Sequence, residues 1–124
     1  MTAGWTQIRL LGRGAMGTVH LVERSDGKRL AVKHPKPDIA EAVLATYRHL
    51  RTFSHPNVVG VIATDEDRDG PYVALEYVHG ISVGDLIREV TKVDEDVPAS
   101  VVLRILHGAA AGLSALHAWN TPIG

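Results

Sequence analysis

Between residues 12 and 17 the chain reads Gly-Arg-Gly-Ala-Met-Gly, and no other stretch narrows its fold as far. Three glycines at G-x-G-x-x-G spacing strip side chains from a segment whose backbone can then lie against phosphate oxygens. Nucleotide-binding folds of different kinds share that pattern, so the residues that follow decide between them. A dinucleotide-binding loop feeds a helix. Here Thr18 to Arg24 is β-branched and apolar, with Val19, Leu21 and Glu23 facing one way and His20, Val22 and Arg24 the other. A G-x-x-x-x-G-K-[ST] phosphate loop is excluded as well, because Thr18 rather than lysine follows Gly17. What remains is a glycine hairpin, with Ala31-Val32-Lys33 on a later strand and the lysine sixteen residues beyond Gly17.

Composition sets outer limits. The 124 residues form one small domain or part of a larger one, and 45% apolar residues are enough for a core. A formal net charge of −1 makes no electrostatic case for nucleic acid or an anionic membrane. The absence of cysteine excludes disulfides and thiolate metal sites and fits a reducing compartment. The start, Met1 to Gln7, carries neither a basic nor an apolar segment, and no run reads as a membrane span. The expected setting is cytoplasmic.

Taken in order, Trp5 to Leu11 forms a first strand with Ile8 and Leu10 on one face, and Thr18 to Arg24 a second. Ser25-Asp26-Gly27-Lys28 turns into a third strand, Arg29 to His34, closed by Pro35 and Pro37. Asp38 can cap a helix reaching about Phe53, with Ile39, Val43, Leu50 and Phe53 as its apolar face and Thr46 filling the gap in that face. Val58 to Ala63 reads as a buried strand, Asp65 to Gly70 as a charged turn and Tyr72 to Val78 as a fifth strand. The expected fold class is α+β, a five-stranded antiparallel sheet with one inserted helix. After His79-Gly80, Ser82-Val83-Gly84-Asp85 can cap a helix over about Val83 to Thr91. A long helix then opens at Pro98 or Ala99 and ends near Ala118-Trp119, interrupted on its apolar circumference only by Arg104, His107 and Ser114. A helix apolar all round belongs in the middle of a large domain. Leaving three leucine-sized side chains exposed forfeits roughly 5–9 kcal/mol, as much as a domain's net stability. The sequence therefore reads as a segment cut from something larger.

These residues resemble the amino-terminal part of a protein kinase, most of all the bacterial eukaryotic-type Ser/Thr kinases. The resemblance rests on Gly12-x-Gly14-x-x-Gly17-x-Val19, Ala31-Val32-Lys33, His55-Pro56-Asn57-Val58-Val59, Glu76-Tyr77-Val78-His79-Gly80 and Gly112-Leu113-x-x-Leu116-His117 in this order. It implies a small lobe over residues 1–78, and a hinge with the first two helices of an incomplete large lobe over 79–124. It also implies an ATP site. Backbone N–H groups of Gly12, Arg13, Gly14, Ala15, Met16 and Gly17 would cover the phosphates, and Lys33 would hold the α- and β-phosphates. Leu11, Val19 and Ala31 would sandwich the adenine, with Leu75 behind it. The main chain of Glu76 and Val78 would meet its edge, and Asp85 would lie near the ribose.

Two departures from the family stand out. Family members carry a glutamate that pairs with the strand lysine, nine residues before the histidine of the H-P-N element, and here that position is Thr46. Glu41 lies five residues earlier, about 140° round the helix. The second departure is that the chain stops at Asn120-Thr121-Pro122-Ile123-Gly124, the threshold of the H-R-D-x-x-x-x-N loop, with D-F-G beyond it. No catalytic residue and no magnesium ligand is therefore assigned, although magnesium would serve the complete domain. Two functions compete: the ATP-binding portion of a Ser/Thr kinase that phosphorylates protein substrates when complete, or a truncated, pseudokinase-like module that binds a protein partner or itself through the last helix. A nicotinamide-binding domain comes third, disfavoured by the hairpin. His20, His34, His49, His55, His79, His107 and His117 show no metal-ligand spacing, and Asp65 to Asp69 lacks a calcium loop's terminal glutamate.

Overall fold

The computed structural model describes residues 4–120, so the Thr121–Gly124 tail lies outside the described residues. Short connections between strand-forming runs make a meander, and the observed order is β1 (Trp5–Gly14), β2 (Gly17–Arg24), β3 (Arg29–Pro35), α1 (Ala40–Leu50), β4 (Val61–Asp67), β5 (Gly70–Glu76), α2 (Val83–Lys92) and α3 (Ala99–Asn120). The five strands form one antiparallel sheet in the order β1-β2-β3-β5-β4. The chain divides into two compact units, one of residues 1–54 and 59–77, the other of residues 55–58 and 78–124.

In the first unit the pleat sorts side chains onto two faces. Val22, Leu30, Val32, Tyr72 and Ala74 form a closed apolar cluster, with Trp5 edge-on to Tyr72 at 6.0 Å between ring centroids. Burying each of the larger side chains stabilises by roughly 1.5–3 kcal/mol. The β2–β3 turn is held by Asp26, which accepts from the Lys28 N–H at 3.1 Å and pairs with Arg24. The Arg24 guanidinium, with the Lys28 N–H, holds the Asp26 carboxyl down at about 2. α1 packs on β3, β4 and β5.

Several expectations need correction. Strand β1 continues through Gly12 and Gly14, so the glycine segment is mostly ladder and its turn is only Ala15-Met16. Ile8 and Leu10, expected to share a face, are each 42% exposed, because register shifts at Gln7/Arg9 and Leu10/Gly12 break the alternation. β4 starts three residues later than the apolar run at Val58, and Val58 instead pairs back to His55 in an isolated bridge. Asp65 to Asp67 are strand and only Arg68-Asp69 turn. Asp38 does not cap α1, whose N-cap is Ile39 with no side-chain hydrogen bond.

On α1 the expected apolar residues Ile39, Val43 and Leu50, with Phe53 just beyond the helix, are half-buried, but the inner face is wider than expected and its gap is not filled by Thr46. Ala40 and Leu44 are buried, Tyr47 is half-buried, and Thr46 is exposed with its hydroxyl donating to the Ala42 carbonyl at 3.1 Å. Tyr47 rather than Thr46 thus occupies the gap, one residue or about 100° further round the helix.

In the second unit Ser82 caps α2 as expected, its hydroxyl accepting from the Asp85 N–H at 3.0 Å. Residues 55–58 lie against α3 where two glycines four apart leave a notch. A Cβ on Gly112 would meet the Asn57 carbonyl oxygen at 2.9 Å and Val58 Cγ2 at 3.0 Å, and one on Gly108 would meet Asn57 Nδ2 at 3.2 Å. The His55 ring closes the turn by accepting from the Asn57 N–H at 3.0 Å. By length and composition Ala99–Trp119 of α3 is long and apolar enough to cross a membrane, contrary to the expectation of no such run. The polar interruptions are few, and the Gly108–Gly112 stretch adds no charge to offset its apolar neighbours.

Candidate nucleotide site

Cross-strand register decides which side chains can meet a common ligand. Val19 lies opposite Lys33, Leu21 opposite Ala31, and on the other side of β3 Ala31 lies opposite Leu75 and Lys33 opposite Val73. Directly opposed residues project to the same face. Val19, Ala31, Lys33 and Leu75 therefore share one face of the sheet, the reverse of the face that carries the Val22–Leu30–Val32–Ala74 cluster. Gly12 opposes Val19 and continues that row into β1. Leu11 is the additional β1 residue at the register shift between Leu10 and Gly12, half-buried, and alternation alone could not have placed it.

The hairpin tip is pinned to the end of β3. The Lys36 N–H donates to the Met16 carbonyl at 3.0 Å. Gly17 has φ +140°, and a Cβ there would fall 2.2 Å from the His34 carbonyl oxygen. Gly17 is therefore required by the fold itself. Around Gly12 and Gly14 a Cβ would meet nothing within 4 Å, and neither has a positive φ. Arg13, Gly14, Ala15 and Met16 are all exposed.

Lys33 is half-buried, and among the described residues it makes no ion pair. Its ammonium instead stands over the Tyr47 ring, 5.9 Å from the centroid. The expectation that position 46 faces the lysine is thus corrected: the helix presents Tyr47. Glu76, at the end of β5, is clamped to Gly60 in both directions. Its N–H donates to the Gly60 carbonyl at 3.0 Å, and its Oε1 accepts from the Gly60 N–H at 2.8 Å. Val78 and Asp85 fall in the second unit. Val78 is 67% exposed. Asp85 is engaged on its own helix, where the Arg88 guanidinium and the Ser82 hydroxyl hold its carboxyl below the usual range.

One cluster escaped the sequence reading. His34 Nε2 lies 3.1 Å and 3.3 Å from the two carboxylate oxygens of Asp67, and Asp67 Oδ1 accepts from the Asp69 N–H at 2.9 Å. Ligand atoms of His34, Asp67 and Asp69 all lie within 4.8 Å of one another. Burial is the largest influence on the Asp67 carboxyl and pushes it up. The hydrogen bonds from His34 and Asp69, with the attraction of the His34 ring, together outweigh it, so the net displacement is downward. No spacing rule could join residues 34 and 67, because the sheet alone makes them neighbours.

Comparison with known proteins places this geometry. The protein kinase domain family matches residues 5–120, and the chain belongs to it. Mouse myosin-IIIa is 37% identical over 94% of this chain and 8% of its own length. The serine/threonine-protein kinase PknD of Chlamydia muridarum is 32% identical over 67% of this chain and 10% of its own. The crystal structure of a cysteine-to-alanine mutant of the Mycobacterium tuberculosis PknI kinase domain superposes with a TM-score of 0.78 at 26% identity, covering 95% of this chain and 50% of that one. The chain thus spans about half of a solved kinase domain and a small fraction of the curated relatives it matches. Its fold is that of a kinase small lobe followed by the first large-lobe helices, and its likeness to bacterial Ser/Thr kinases agrees with the resemblance carried by the motifs. The match runs through α3, so that apolar helix is part of the kinase fold.

Proposed function

We propose that this segment is the ATP-binding portion of a Ser/Thr protein kinase, with residues 1–78 as its small lobe and 79–124 as the hinge and first helices of its large lobe. The observation that carries the reading is the common sheet face of Val19, Ala31, Lys33 and Leu75, reached by a hairpin whose Gly12 and Gly14 answer no requirement of the chain's own packing. In this reading Val19, Ala31 and Leu11 enclose the adenine, Leu75 stands behind it and Glu76 offers main chain. The backbone from Gly12 to Gly17 covers the phosphates, and Lys33 supplies a point charge to them. The magnesium that accompanies ATP finds no family ligand among the 124 residues, and neither H-R-D nor D-F-G occurs in them. The segment by itself therefore binds weakly and transfers no phosphate, and it acts on protein substrates only within a complete domain. The proposed setting is cytoplasmic, following the bacterial kinases it resembles.

Titration with a non-hydrolysable ATP analogue, followed by fluorescence, tests the site. Saturable binding abolished by Lys33→Ala, with unfolding unchanged, is expected; equal affinity in both proteins would overturn the assignment. A second reading, a pseudokinase-like binding module, is favoured by the lack of a carboxylate partner for Lys33 among the described residues and by the exposure of Leu103, Leu106 and Leu113 on α3. It predicts self-association that leucine-to-glutamine changes at those positions relieve, measured by light scattering; a monomer at all concentrations would refute it.

A further inference from the structure

The place of Tyr47 on α1 has a chemical consequence for Lys33. Ala40, Leu44 and Tyr47 recur at helical spacing along the buried side of α1, which packs on β3, β4 and β5. Tyr47 is thereby directed at the sheet face that carries Lys33, and the ammonium lies within the range at which an aromatic face attracts a cation, 5.9 Å from the centroid. Glu41, the only acidic residue of the helix, is exposed and points elsewhere.

We propose that Tyr47 is the positioning residue of Lys33, holding its ammonium by a cation–π contact in place of an ion pair. This rests on the nucleotide-site reading for what the lysine is positioned to do. The physics differs from that of a carboxylate in one respect. A carboxylate would offset the lysine's charge and compete with an incoming phosphate, whereas the ring orients the ammonium and leaves its full charge to the ligand. Tyr47 touches no substrate; it acts through Lys33.

The test reads the contact and its effect separately. In nucleotide-free protein carrying lysine labelled with carbon-13 at Cε, the Lys33 ε-protons, assigned through Lys33→Arg, should lie upfield of those of Lys28, Lys36 and Lys92 because of the ring current. Tyr47→Phe should keep that shift, and Tyr47→Leu, which preserves an apolar helix face, should abolish it. Binding of the ATP analogue should weaken about two- to fivefold in Tyr47→Leu and stay at the parent level in Tyr47→Phe. An unshifted Lys33 signal, or a shift that survives in Tyr47→Leu, would overturn the proposal, as would parent-level affinity in Tyr47→Leu. If the shifts behave as expected but the analogue binds to none of the proteins, the contact stands and the nucleotide reading falls.

Discussion

Two glycines three residues apart in the hairpin should respond in opposite ways to the same substitution. In Gly17→Ala the new methyl would lie 2.2 Å from the His34 carbonyl oxygen and 2.9 Å from the Pro35 Cα, at a φ of +140°. Both obstacles are backbone of β3, held in register by the Gly17–Pro35 and Thr18–His34 pairs, so no side chain can swing aside. The backbone conformation costs roughly 1–3 kcal/mol for a non-glycine residue. Displacing the strand end adds a similar amount, as overpacking does elsewhere. A total on the order of 2–6 kcal/mol lowers Tm by about 10 °C or more in a chain of this size. Gly14→Ala meets nothing within 4 Å and needs no positive φ. Its Tm should equal the parent's or exceed it slightly, because alanine restricts the unfolded chain, while ATP-analogue affinity falls. Thermal unfolding by circular dichroism, paired with the analogue titration, reads both effects. A Gly17→Ala protein that melts with the parent would refute the close-approach argument. Comparable destabilisation in Gly14→Ala would show that the fold needs both glycines.

Three further outcomes are expected. The Asp67 carboxyl has a folded pKa below its unfolded value near ~3.9, so its contribution is complete above that value and is lost as pH falls through the lowered one. Acid unfolding of Asp67→Asn should accordingly lack this component, and identical acid limbs would contradict it. Gly112→Ala forces a methyl to 2.9 Å from the Asn57 carbonyl oxygen, and should destabilise by about 1–3 kcal/mol in denaturant titration; a neutral result would mean that residues 55–58 do not seat on α3. Ser82→Ala removes the α2 cap and should cost about 1 kcal/mol, with faster amide exchange at Asp85 as the local readout.

Much of this protein follows from local pattern. Alternation in Thr18 to Arg24 and Arg29 to His34, the turn at Ser25 to Lys28 and the cap at Ser82 were legible because each depends on neighbours a few residues away. The identity of Val19, Ala31, Lys33 and Leu75 as a set was also legible, through the motifs of the kinase family. Tertiary packing decided the rest. The packing of α1 on the sheet put Tyr47 rather than Thr46 beside the lysine, a choice between neighbouring positions that the apolar spacing of the helix did not make. Gly17 and Gly112 were legible as motif glycines, but only the fold showed which atoms press against them: the end of β3 in one case, the turn at Asn57 in the other. His34 and Asp67 meet because β3, β5 and β4 lie side by side, which brings together residues 33 apart in the chain. Local chemistry chose the elements, and contacts between distant residues chose which side chain each element presents.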